Sequence, residues 1–189
     1  MKILAIRLKN LASLAGPFEI DFTAEPLASA GLFAITGPTG AGKSTLLDAL
    51  CLALFGAVPR LGDTGQAKMP DADSDISIGD PRTLIRRGTG GGYAEVDFVG
   101  VSGRRYRARW EANRARDKAS GKLQNSRQSL IDLDSDQLLA SQKTEYKTQL
   151  ELALGLNFEQ FTRAVLLAQS EFSAFLKAND NERSELLEK

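Results

Sequence analysis

A chain of 189 residues that is 42% hydrophobic is long enough to bury one substantial core, and one domain is the default expectation. Its 24 basic and 24 acidic residues cancel, so any surface for a polyanion has to come from charge segregated along the chain. The lack of histidine excludes a Ser-His-Asp triad, a Cys-His pair and a His-rich metal centre, and the single cysteine, Cys51, excludes an internal disulfide.

In chain order, Lys2 to Leu8 places Leu4, Ile6 and Leu8 on one side and Phe18 to Phe22 alternates apolar with acidic residues, predicting two half-buried strands. Leu32 to Thr36 is a short continuous apolar run before a glycine-rich turn, the pattern of a strand covered on both faces. From Ser44 the run to Phe55 reads as a helix stopped by Gly56, with Cys51 a small buried hydrophobe. Residues 62–80 carry five aspartates against Lys68 alone and read as a mobile loop insert. Asp71, Asp73 and Asp75 have the spacing of a calcium loop, but Ile76 and Arg82 stand where Gly and Glu are required, so that reading fails.

Tyr93 to Val101 and Arg104 to Glu111 flank Ser102-Gly103 as a hairpin, and Ser129 to Leu133 reads as a third strand beside them. Lys143 to Leu154 is an amphipathic helix stopped by Gly155, and Asn157 with Gln160 forms a capping box for the next helix. A second capping box, Asn179 to Glu182, opens a helix that has barely begun at Lys189. No apolar run approaches the roughly 18 residues of a membrane span, and charge interrupts the first stretch too early for a secretory signal, so a cytoplasmic chain without membrane contact is expected.

Gly37-Pro38-Thr39-Gly40-Ala41-Gly42-Lys43-Ser44 satisfies G-x-x-x-x-G-K-[ST] between a predicted strand and a predicted helix. The glycines let backbone N–H groups converge on phosphates at a helix N-terminus, where the dipole favours anions. Lys43 is placed for the β- and γ-phosphates, the Ser44 hydroxyl for Mg²⁺, and Thr45 for the α-phosphate. No Asn-Lys-x-Asp segment is present to recognise guanine, so the expected cofactors are ATP and Mg²⁺. Gln169 closes the apolar run Leu166-Leu-Ala, from which its amide could complete the Mg²⁺ sphere; a solvated glutamine is the alternative. No Leu-Ser-Gly-Gly and no apolar strand ending in Asp-Glu occurs, so the chain carries nucleotide-binding parts without a catalytic carboxylate.

The stretches Met1 to Leu11, Gly31 to Leu54 and Phe161 to Leu176 together resemble the N-terminal ATPase segment of the SbcC family, the ATPase subunits of bacterial SbcCD nuclease complexes. The resemblance implies an α/β fold: the N-terminal lobe of an ABC-type P-loop ATPase head (1–178), with a mixed sheet and helices, an insert near 62–80 and a β-hairpin subdomain near 93–133. Residues 179–189 would then start a coiled-coil helix. It also implies an ATP-dependent exonuclease and endonuclease system in DNA repair and recombination. Its partners would be the C-terminal half of the same head, a second SbcC head, the nuclease SbcD and double-stranded DNA. Lys43 and Gln169 are then the catalytic candidates, and Asn10 a nucleotide neighbour, although Ala12-Ser13 stands where relatives often carry arginine. Alternatives are a head fragment of another SMC- or RecF-like ATPase, or a non-hydrolysing nucleotide-gated scaffold; the isolated segment should be nearly inactive.

The charge hidden by the net value lies between Gly103 and Arg127. Arg105, Arg107 and Arg109 alternate with Tyr106, Ala108 and Trp110, and Arg114, Arg116, Lys118 and Lys122 follow. One face should be basic while the other packs inward. Such a strip suits sequence-independent contact with DNA phosphates, a solvated strand face being the alternative.

Overall fold

A computed structural model describes residues 1–61, 67–72 and 74–164. Residues 1–155 form one compact unit. Its strands are β1 (Lys2–Lys9), β2 (Phe18–Asp21), β3 (Lys68–Asp71), β4 (Ser74–Ser77), β5 (Gly91–Val99), β6 (Arg105–Asn113), β7 (Arg127–Asp132) and β8 (Gln137–Ala140). Two helices, α1 (Lys43–Phe55) and α2 (Lys143–Leu154), pack on them. Six strands make a sheet in the order β2-β1-β5-β6-β7-β8, every pair antiparallel, and β3 with β4 makes a separate hairpin. The basic hairpin β5-β6 therefore lies in the middle of the main sheet.

Register explains which residues are buried. Ile6, Val96, Ala108 and Leu130 stand directly opposite one another across β1, β5, β6 and β7, as do Leu8, Ala94, Trp110 and Gln128 in the next row but one. Because successive side chains alternate between faces, these rows share one face. Their apolar members are buried together with Ala49, Leu50, Leu52, Ala53 and Leu54 of α1, which lies over β5 and β6. Small residues opposite large ones let the Trp110 ring, 1% exposed, seat beside Ala94.

Helix α1 ends where expected. Gly56 takes the left-handed conformation and its N–H donates to Leu52 O at 2.9 Å. Gly155 ends α2 the same way through Glu151 O at 2.8 Å. The Tyr146 hydroxyl of α2 donates to Ala53 O of α1 at 2.6 Å, and burial pushes this phenol far above its ordinary pKa. Cys51 is buried as expected, and burial pushes its thiol up to about 12.

Three expectations are corrected. The run Leu32 to Thr36 is not a covered strand: Leu32 is 94%, Phe33 48% and Ile35 46% exposed, and among the described residues no strand pairs with it. An apolar run reports that burial is needed but not by which chain; here the Phe22 ring lies against it, its centroid 5.4 Å from that of Phe33. The insert 62–80 is not a loop throughout, because Lys68–Asp71 and Ser74–Ser77 pair as β3 and β4 with Asp71 and Ile76 buried. The β5-β6 turn is not two residues but five, Gly100 to Arg104, closed by Gly100 N–H to Arg104 O at 2.9 Å. Val101 N–H donates to Ala153 O at the end of α2, so a tertiary anchor overrides the local turn signal. Strand β8 follows from no pattern in the sequence.

A second unit comprises residues 156–189, of which α3 (Phe158–Ala164) is described. Its start is the expected capping box: Asn157 N–H donates to Gln160 Oε1 at 3.0 Å and Gln160 N–H to Asn157 Oδ1 at 2.9 Å. The expected coiled-coil start at 179–189 lies outside the described residues.

Candidate nucleotide and nucleic-acid sites

The loop from Gly37 runs through exposed residues into the N-terminus of α1, whose cap is Gly42. At φ +93° Gly42 adopts a conformation that L side chains avoid, and a Cβ there would strike the Leu14 side chain 2.6 Å away. Glycine is thus required twice at that position. No side chain caps α1 and its first turn holds no acid, leaving the N–H groups of Lys43, Ser44 and Thr45 without intrahelical acceptors. Lys43 folds back over the loop, Nζ donating to Gly37 O at 2.7 Å and Pro38 O at 2.8 Å. An ammonium has three N–H donors, so one remains for an anion at the loop. Ser44 is exposed and Thr45 is buried. Asp48, one turn on and 6% exposed, is held by both carboxylate oxygens to Arg60.

Leu14 brings the N-terminal segment against this loop. The turn from Asn10 to Ala15 is fixed by Asn10 N–H to Ala15 O at 3.0 Å and by Ala12 N–H to Leu84 O at 2.8 Å. Arg86 Nη1 donates to Ala12 O at 3.1 Å and Ser13 O at 2.7 Å, so a guanidinium from a distant segment sits on Ala12-Ser13. Asn10 itself has φ +53° and spends its amide on Gly91 O at 2.8 Å, leaving Oδ1 for other contacts. Neither Leu14 nor Arg86 carries a sequence signal; each matters through a contact between segments. Gln169 lies outside the described residues, and among the described residues no group of three or more His, Cys, Asp or Glu could hold a metal.

The basic strip is corrected in part. Tyr106, Ala108 and Trp110 pack inward as expected. The outward arginines are not a free cationic face, because register sets Glu95 opposite Arg109 and Asp97 opposite Arg107. Arg107 Nε reaches Asp97 Oδ1 at 2.7 Å, and Arg7 Nη1 reaches Asp97 Oδ2 at 2.8 Å. Arg109 pairs with Glu95 at 3.0 Å and Glu111 at 3.1 Å while lying over the Tyr93 ring, 4.1 Å from its centroid. Arg105 pairs with Asp134 at 2.7 Å, and Arg114, 14% exposed at its side chain, with Asp71 at 2.7 Å. Counting charges along one strand misses the acids on its neighbour. Arg116, Lys118 and Lys122 are exposed and have no ion pair among the described residues.

Burial opposes the charge on Asp97, yet its hydrogen bonds from Arg107 and Arg7 outweigh burial and hold the carboxyl below its ordinary range. A depressed folded pKa contributes stability that is fully present above the unfolded value, about 3.9, and is lost as pH falls through the folded value. Asp97→Asn is therefore expected to flatten the acid limb of unfolding below about pH 4. Equal slopes for the two proteins in a denaturant series at successive pH values would remove Asp97 as the source.

A protein-family model described as "AAA domain" matches residues 5–189. Over its whole length the chain is 71% identical to the SbcC component of the SbcCD nuclease from Pseudomonas aeruginosa and 54% identical to the SbcC component from Rhodobacter capsulatus. It is 30% identical, over 99% of its length, to a probable DNA double-strand break repair Rad50 ATPase from Aquifex aeolicus. The chain spans 16%, 15% and 16% of these relatives' lengths respectively.

Proposed function

The chain belongs to the AAA domain family, and from that premise we propose that it is the ATP-binding segment of the ATPase subunit of an SbcCD-type nuclease acting in DNA repair. The observation that carries this reading is the loop Gly37 to Ser44, with Lys43 drawn across it and the uncapped start of α1 behind it. Gly37 to Thr45 would hold the phosphates of ATP, and Ser44, with Gln169, would ligate Mg²⁺. When bound, Mg²⁺ neutralises charge on the phosphates. Lys43 would place its cation on them while bracing the loop, and Asn10, whose Nδ2 is held by Gly91 O, would offer Oδ1 to the nucleotide.

Hydrolysis needs a carboxylate and a signature segment that this sequence lacks, so those parts would come from the C-terminal half of the same head and from a second head. The exposed run Leu32 to Ile35 favours this, since it is patterned for burial and lacks a partner strand among the described residues. Residues 1–178 would be the lobe and 179–189 the root of a coiled coil, in a cytoplasmic complex. No helix among the described residues is long and apolar enough to cross a membrane. Cleavage of double-stranded DNA would belong to the SbcD partner. The DNA contact within this lobe narrows to Arg116, Lys118 and Lys122, with Arg105, Arg107, Arg109 and Arg114 committed to acids.

Replacing Arg116, Lys118 and Lys122 together by Ala in the full-length protein assembled with its nuclease partner tests the DNA contact. Losing three phosphate contacts per head should lower the slope of log affinity against log salt on duplex DNA by up to about 2.7. An unchanged salt titration would remove this loop from the DNA surface.

A further inference from the structure

The loop that carries those three cations has an unusual backbone. Arg116 and Asp117 are consecutive non-glycine residues at φ +59° and +53°, a conformation that persists only where the surroundings impose it. The base of the loop is closed by Ala115 N–H to Lys122 O at 2.8 Å, and it hangs from the sheet through Arg114 N–H to Gly90 O at 2.7 Å.

A further fastening comes from a segment more than forty residues earlier. Asp71, the last residue of β3, is 5% exposed. Its Oδ1 accepts from Arg114 Nη1 at 2.7 Å, and its Oδ2 accepts from the Leu123 N–H at 2.9 Å. Arg114 Nη1 also donates to Gly121 O at 2.8 Å. One buried carboxylate thereby ties both ends of the loop, and its charge is matched by Arg114 instead of reaching the surface. Arg82, in the turn after β4, adds a contact to Gln124 O at 3.3 Å from the same side. Arg116, Lys118 and Lys122 are left exposed on a loop whose ends are fixed.

We propose that Asp71 is the positioning residue of a preformed cationic loop for duplex-DNA phosphates, with Arg114 as its structural counter-ion; this rests on the reading of that loop as a DNA contact. Long basic side chains on an unfastened loop lose conformational freedom when they bind, and fixing the loop beforehand removes part of that loss. The β3-β4 hairpin, acidic in sequence, then serves DNA binding without touching DNA.

The test uses the full-length protein assembled with its nuclease partner. Asp71→Asn keeps the shape but leaves one acceptor oxygen for two donors, Arg114 Nη1 and the Leu123 N–H; it should lower duplex-DNA affinity by about threefold to tenfold and reduce its salt slope, with ATP affinity unchanged. Because that variant strands the Arg114 charge, the double variant Asp71→Asn with Arg114→Met is needed as well. Removing both buried charges should restore the melting temperature without restoring DNA affinity. Recovery of DNA binding together with stability would reduce Asp71 to a stability role and overturn the proposal. Normal DNA binding by both Asp71 variants, with weak binding by the Arg116, Lys118 and Lys122 variant, would overturn the positioning role alone. Normal binding by that triple variant would overturn the DNA reading and this proposal with it.

Discussion

Replacing Lys43 by Ala in the full-length protein is expected to lower ATP turnover by about 100-fold or more while leaving the melting temperature close to that of the parent. The side chain bridges Gly37 O and Pro38 O at 2.7 and 2.8 Å, so its loss removes a brace from the loop and a cation from the phosphates at once. Preorganised donors aimed at charge that develops in a transition state contribute about 2.7–4 kcal/mol each, which corresponds to roughly 10²–10³ in rate. Stability should be spared, because Lys43 stands at the first position of α1, outside the packed face formed by Ala49 to Leu54. Steady-state phosphate release with and without duplex DNA measures the effect, and nucleotide titration separates lost binding from lost chemistry. Turnover within threefold of the parent would refute the assignment of this loop.

The second large effect is on folding. Trp110→Ala should destabilise the chain by about 3–5 kcal/mol, the range for emptying a buried aromatic site. Trp110 stands on β6 between Ala94 of β5 and Gln128 of β7, in the layer that α1 covers, and is 1% exposed. Its same-face neighbours on the strand, Ala108 and Ala112, are small and buried, so neither can fill the space. Trp110→Phe should recover a large part of the loss. Denaturant unfolding of the three proteins gives the comparison; a loss under about 1 kcal/mol for the alanine variant would mean that the core is organised around another residue.

Much of the candidate nucleotide site was legible because its signals are local. Gly42, Lys43 and Ser44 are adjacent, the strain that selects glycine arises within one turn, and Gly56 closes α1 twelve residues on. The stop at Gly155 and the box between Asn157 and Gln160 were legible for the same reason. The likeness to the SbcC family also stood in the sequence, and full-length identity of 71% and 54% to SbcC proteins bears it out.

What escaped the sequence depends on exact strand register and on contacts between separate segments. The arginines of β6 were countable, but their partners Glu95 and Asp97 became visible only through the antiparallel register that sets them opposite. Arg114 read as a surface cation and is instead a partner for buried Asp71, forty-three residues away. Leu14 and Arg86 have no motif, yet one closes on Gly42 and the other holds the turn that presents Leu14. The run Leu32 to Ile35 shows the limit from the other side: its pattern was apolar enough to predict burial, and the fold leaves it in solvent.

The sequence by itself determined where α1 and α2 stop and where α3 is capped, and it marked Gly37 to Ser44 as the candidate phosphate loop, because each follows from residue type at fixed short spacing. Tertiary structure alone decided which cations are free. A nearby opposite charge weakens a cation's pull on a ligand. The exact register of the β5-β6 hairpin sets Glu95 and Asp97 in that position, and a contact forty-three residues apart in the chain does so for Asp71.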